Sequence, residues 1–275
     1  MRTLGIICLL LSLSGCSSLL FYPERGLPFT PERAKLEYRD VTLTTADGLK
    51  LHGWWLPVKQ GVEVKGTVLH LHGNGGNLAW HLGGSWWLPE QGYQVLMVDY
   101  RGYGRSEGEP SVPAIYQDID AAFKWLDQAP EVQGKPLVLL GQSLGGALAV
   151  AALGESGFKP AAVVLEGTFY SYRQVAAAGL RSHWLTWPAS WLPYLLVSGR
   201  HSPSDHIAGL TCPKVFLHAA GDGTVPFSQG RRLYDAAPGP KEFWEVPAGH
   251  IEAFTAFRAA YAPRLLAFLD AALAR

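Results

Sequence analysis

Four apolar residues, Leu137 to Leu140, run directly into Gly141, Gln142, Ser143, Leu144 and Gly145, and from there into Gly146, Ala147, Leu148, Ala149 and Val150. The apolar run reads as a buried strand and the small-residue run as a helix, which leaves room between them only for a sharp turn with Ser143 at its tip. A serine held at such a tip needs small neighbours two positions to either side, so that strand and helix can approach each other. Local chemistry of this kind places the chain in the class of sheets whose strand ends carry the reactive loops.

The remaining periodicity agrees. Arg39–Thr45 and Leu49–Leu56 read as a hairpin turned by Asp47 and Gly48. Apolar strand cores follow at Thr67–Leu71, Gln94–Val98, Ala162–Leu165, Val215–Leu217 and Glu242–Val246, with helical patterns near Asn77–Gln91, Val112–Gln128, Leu144–Glu155, Ser228–Ala236 and Ala253–Ala274. Continuous apolar strands covered by helices on both faces predict an α/β fold with a mostly parallel sheet of about eight strands. At 275 residues, 48% apolar and 17% charged, the chain is large enough for one such core. Lys plus Arg and Asp plus Glu each number 23 and form no basic run, which argues against nucleic acid as a partner.

An exposed serine requires a base and a group to orient it. Asp222 follows the apolar run Val215–Leu217 in Gly221-Asp222-Gly223, and His250 follows Phe243–Val246 in Pro247-Ala248-Gly249-His250. The order serine, aspartate, histidine differs from that of the chymotrypsin and subtilisin types. With His72-Gly73-Asn74-Gly75-Gly76-Asn77 after one strand and Asp99-Tyr100-Arg101-Gly102-Tyr103-Gly104-Arg105-Ser106 after the next, the sequence resembles the α/β-hydrolase superfamily over roughly residues 36–272. Within it, the chain is similar to the serine hydrolases of the BEM46 and ABHD12/13/17-like branch.

That resemblance implies an acyl-enzyme mechanism on carboxylic esters or thioesters, with Ser143 as nucleophile, His250 as base and Asp222 orienting the base. The backbone N–H groups of Leu144 and Asn74 would form the oxyanion hole. Asp99 is a rival orienter, and His72, His206 and His218 are rival bases. A peptidase or amidase using the same three residues is the alternative enzyme, and a non-catalytic scaffold lipoprotein is the alternative from another class. Residues 168–206 are longer than a crossover requires and imply a small helical cap, whose Trp184, Trp187 and Trp191 are candidate substrate-binding residues for an apolar acyl or aryl group. No cofactor is expected: Leu78 stands where a dinucleotide fingerprint beginning at Gly73 needs its third glycine. No metal is expected either, since His70 and His72 have no carboxylate or cysteine cluster beside them.

The N-terminus carries a separate signal. Arg2 precedes an apolar stretch, Leu4–Leu13, too short to span a bilayer, so residues 1–15 read as a signal peptide. Leu13-Ser14-Gly15-Cys16 resembles a bacterial lipobox, which makes Cys16 the lipidation site and residues 16–35 a lipidated tether ahead of a hydrolase domain at 36–275. Ser17, where an aspartate would signal inner-membrane retention, points to the outer membrane facing the periplasm. The expected partners are therefore a small-molecule or lipid-derived ester and a membrane. Removal of Cys8 and acylation of Cys16 leave Cys212 as one inert thiol, with no intramolecular disulfide.

Overall fold

The computed structural model describes residues 21–274, so Cys16 and residues 1–15 lie outside the described residues. The strands are β1 (Tyr22–Pro23), β2 (Arg39–Thr44), β3 (Lys50–Leu56), β4 (Gly66–Leu71), β5 (Gly75–Gly76), β6 (Tyr93–Val98), β7 (Leu137–Gln142), β8 (Ala162–Glu166), β9 (Lys214–Ala219) and β10 (Lys241–Val246). The helices are α1 (Leu78–His81), α2 (Tyr116–Gln128), α3 (Leu144–Ser156), α4 (Tyr172–Arg181), α5 (Pro193–Leu196), α6 (Pro203–His206), α7 (Phe227–Ala236) and α8 (Arg258–Leu273). Eight strands form one sheet in the order β10-β9-β8-β7-β4-β6-β3-β2, parallel except at the β2–β3 and β3–β6 pairs.

The central strands β4 and β6 are buried along their whole length, as continuous apolar runs require when helices cover both faces. Alternate side chains divide between two cores. Leu69, Leu139, Val163 and Phe216 pack with residues of α2, α3 and α7 on one face, and Val68, Leu140, Val164 and Leu217 pack with Tyr261, Leu265 and Phe268 of α8 on the other. The chain has the expected α/β-hydrolase architecture.

Two segments differ from expectation. The helix expected near 77–91 is only α1 followed by 3-10 turns at Leu82–Gly84 and Leu88–Gln91, because Gly83, Gly84 and Pro89 interrupt it. Residues 21–35, expected to be part of a tether, lie against the body of the protein. Phe21 is buried, Tyr22–Pro23 pairs with Gly75–Gly76, and Leu27 and Phe29 pack on the second core.

Arg101 joins three elements. Its backbone N–H and its Nε each donate to Asp118 of α2 at 2.8 Å, while its Nη atoms reach Asp47 in the hairpin turn at 3.0 and 3.3 Å. Asp118 has no exposed side-chain surface. Asp118→Ala should therefore lower the unfolding free energy by about 3–5 kcal/mol, the usual cost of removing one partner from a buried ion pair. Asp47→Ala, at the exposed end of the same guanidinium, should cost far less, and urea unfolding of both variants checks the difference.

Candidate functional site

Between β7 and α3, Ser143 has φ 53° and ψ −114°, a backbone geometry that residues with side chains rarely adopt. Its N–H donates to the Glu166 carbonyl at 2.7 Å, and its own carbonyl accepts from Gly146 and Ala147 to start the helix. The flanking glycines are required sterically. A Cβ on Gly145 would stand 2.0 Å from the Leu71 carbonyl oxygen, and one on Gly141 2.4 Å from the Gly146 Cα.

Asp222 follows β9 in a turn that its own side chain closes. Its Oδ1 accepts from the N–H groups of Thr224 and Val225 at 2.8 and 2.9 Å, which leaves Oδ2 for the His250 Nδ1 at 2.6 Å. Burial alone would push the Asp222 carboxyl up, but the hydrogen bond and charge of His250 and the two N–H donors hold it below the usual carboxylate value. With Nδ1 engaged, Nε2 is the imidazole atom left to take a proton; it is buried and among the described residues has no hydrogen-bond partner, so the Ser143 hydroxyl does not bond to it in this structure. Gly167, next to the residue that anchors Ser143, packs on this ring: a Cβ there would lie 3.0 Å from Cε1. The Ser143 turn and the His250 imidazole thus meet the same end of β8.

The Asp99–Ser106 segment holds the loop after β4. The Tyr100 hydroxyl donates to the His72 carbonyl and the Tyr103 hydroxyl to the Asn74 carbonyl, both at 2.9 Å, while Asp99 Oδ1 accepts from the Leu78 N–H. His81 Nε2 donates to the Gly75 carbonyl at 3.1 Å. Asp99 therefore serves this loop and does not orient His250. His72 is wholly buried and stacked on Tyr100, and burial drives its pKa well down, so it sits as a neutral prop.

Sequence reasoning missed a buried polar chain beneath the site. His70 Nδ1 lies 2.8 Å from the Ser85 hydroxyl, and its Nε2 donates to Gln142 Oε1 at 3.0 Å. Gln142 Nε2 donates to Glu166 Oε2 at 2.8 Å, and Glu166 Oε1 accepts from the Ala253 N–H at 2.7 Å. The residue before Ser143 is thereby linked to the loop three residues past His250. Burial pushes Glu166 up to about 7 against these donors and pushes His70 down to about 3. The signal available in the sequence was polar residues, His70, Gln142 and Glu166, at strand positions that should be apolar.

A cavity of about 210 Å³ opens above Ser143, with Leu144, Asn74, Thr224 and Val225 in its walls. Its remaining lining is apolar or aromatic: Phe21 and Tyr22 from the N-terminal segment, and Phe169, Tyr172, Val175 and Ala176 from the segment between β8 and β9. Trp184, Trp187 and Trp191 are absent from it. They are 78%, 62% and 57% exposed on the outer face of that segment, which corrects the expectation that they line the cavity. Short helical turns interrupted by Pro188 and Pro193 leave that segment too little interior to bury indoles. Among the described residues, Glu155, His201 and His206 place their ligand atoms within 4.8 Å of one another, a set that could hold a metal ion. They lie at the far end of α3 from Ser143, and none lines the cavity.

Two outcomes follow from this geometry. Gly145→Ala should be overpacked by about 1–3 kcal/mol or more, seen as a lowered urea midpoint. Glu166 has a raised folded-state pKa, so the stability it contributes is fully present below about 4.5 and is lost as pH rises through about 7. Glu166→Gln should flatten the fall in unfolding free energy across that window, measured by urea titrations at a series of pH values; an unchanged slope would assign the titration elsewhere.

Residues 62–208, more than half of the chain, match the family described as serine aminopeptidase, S33. The uncharacterized protein YfhR of Salmonella typhimurium is 33% identical over 98% of this chain and 92% of its own length. The Arabidopsis thaliana α/β hydrolase domain-containing protein WAV2 is 32% identical over 90% of this chain and 83% of its own. Among solved structures, the Pyrococcus furiosus esterase Pf2001 superposes with a TM-score of 0.75 at 25% identity, covering 92% of this chain and 99% of that one. With its strand order, its turn at Ser143 and these relatives, the chain belongs to the serine aminopeptidase S33 family of α/β hydrolases.

Proposed function

We propose that this protein is a serine hydrolase that cleaves carboxylic esters or thioesters through an acyl-enzyme. The observation that carries the reading is the His250 imidazole, hydrogen-bonded to Asp222 through Nδ1 and with its buried Nε2 left over, at the same end of β8 as a serine in strained backbone under an apolar cavity. In this scheme, His250 Nε2 takes the Ser143 proton as the oxygen attacks the carbonyl. The N–H groups of Leu144 and Asn74 hold the oxyanion, and His250 returns the proton to the leaving group before water repeats the sequence. Asp222, kept ionised, stabilises the imidazolium between the two transfers.

The lining favours an acyl or aryl group over a peptide N-terminus. An aminopeptidase must hold an α-ammonium, and no carboxylate is among the described residues that line the cavity. At about 210 Å³, it is smaller than the ~300–1,000 Å³ sites that enclose drug-sized ligands, so it suits the part of an acyl group next to the carbonyl. The Danio rerio relative named lysophosphatidylserine lipase ABHD12, 34% identical over 62% of this chain and 47% of its own length, supports a lipid-derived ester. The motifs at His72–Asn77 and Asp99–Ser106 support placement in the BEM46 and ABHD12/13/17-like branch. We also read Cys16 as a lipidated residue that holds the enzyme at the outer membrane, facing the periplasm.

A fluorophosphonate probe should label the wild type and not Ser143→Ala, with both folded by circular dichroism; equal labelling would mean another nucleophile. Asp222→Asn should lower kcat on a nitrophenyl ester by about 10⁴-fold through loss of the productive tautomer. Aminoacyl amides cleaved faster than short acyl esters would replace the esterase reading with a peptidase one.

A further inference from the structure

We propose that the outer face of the cap is a bilayer-docking surface, which seats the mouth of the Ser143 cavity on the headgroup layer of a membrane. Residues 182–199 contain no Asp, Glu, Lys or Arg, and most of their large side chains are exposed. Trp184, Leu185, Trp187, Trp191, Leu195 and Leu196 are all more than half exposed. Six large apolar side chains exposed within one short stretch of chain point to an interaction site, and their composition selects the partner. Tryptophan sits at the headgroup level of bilayers, with leucine reaching the acyl boundary beneath it. Exposed Arg181 and Arg200 stand at the two ends of the uncharged stretch, where they would meet anionic headgroups. The segment is built from turns and helices of three or four residues, so it can lie on a membrane and cannot span one.

The N-terminal wall of the cavity supports the same orientation. Tyr22, 67% exposed, lines the cavity, and Trp80, 56% exposed, packs beside Gly76 in the short sheet that Tyr22 helps to form. Exposed aromatics therefore stand at the N-terminal wall of the cavity as well as on the cap. Cys16 lies six residues before Tyr22, and six residues extend at most about 20 Å, so an acylated Cys16 would keep this rim within reach of the bilayer that holds it. A substrate arriving by this route is an acyl ester resident in the membrane, presented carbonyl first to Ser143. This last step rests on the ester-hydrolase reading above; the docking itself does not.

The test uses the full chain, purified in detergent and reconstituted into vesicles of phosphatidylethanolamine and phosphatidylglycerol carrying brominated acyl chains. Tryptophan emission of the wild type should shift to the blue and be quenched. Leu185→Lys/Leu195→Lys/Leu196→Lys, which leaves every tryptophan in place, should lose both effects and hydrolyse a bilayer-embedded ester roughly tenfold more slowly, while its rate on a water-soluble acetyl ester is unchanged. Arg181→Glu/Arg200→Glu should lose quenching on these vesicles and behave like the wild type on phosphatidylcholine alone. An unquenched wild type, or quenching that survives the lysine substitutions, overturns the proposal. So does a dimer in detergent-free solution that the lysines dissociate without any lipid quenching, since a second copy would then own the face. If the wild type docks but does not hydrolyse the soluble ester, the ester-hydrolase reading falls and the docking stands.

Discussion

A serine at φ 53° persists only where its surroundings allow no alternative, and most of the site can be traced to that one constraint. The backbone strain is offset by the Ser143 N–H bond to Glu166, by the α3 hydrogen bonds that begin at the Ser143 carbonyl, and by a helix pressed so close to β4 that Gly145 touches the Leu71 backbone. Close approach in turn demands a helix of small residues. The first ten residues of α3 are all buried, and seven of those ten are Gly, Ala or Val. Sheet, helix and nucleophile position are thus one packing solution.

The polar groups under the site extend that solution to the proposed base. Gln142 and Glu166 are paired in register on neighbouring strands, and Glu166 continues to the Ala253 N–H just beyond His250. A displacement of the histidine loop would therefore strand a buried carboxylate, which carries a full desolvation penalty. His218 reinforces the acid from below: its Nε2 donates to the Val225 carbonyl and lies 3.4 Å from Asp222 Oδ2. Burial lowers the His218 pKa, so it contributes as a neutral ring.

The segment between β8 and β9 has two unlike faces. Its beginning, Phe169 to Ala176, turns aromatic and aliphatic side chains toward Ser143, whereas its middle exposes indoles and leucines. His201, in the left-handed region at φ 61°, ties its end to α3 through Glu155 at 2.5 Å, and its ring packs on Tyr116. A segment tied down in this way and apolar outside suits a cap that meets something beyond the protein.

The amino-acid sequence by itself determined the sheet, because continuous apolar runs such as Val68–Leu71 and Val95–Val98 are stable only when covered on both faces. It determined the elbow as well, because only glycine fits at 141 and 145. The order of Ser143, Asp222 and His250 was legible for a related reason, since each sits at the end of a recognisable strand. The sequence could not reveal which way the cap's aromatics face. Prolines and short turns erase the periodicity that separates inside from outside, so the exposure of Trp184, Trp187 and Trp191 emerged only in three dimensions. Nor could it reveal that Phe21 and Tyr22 reach the cavity, or that Glu166 joins Gln142 to Ala253. Those contacts span tens of residues or more, and they are decided by where separate strands end relative to one another, a tertiary property that no local pattern encodes.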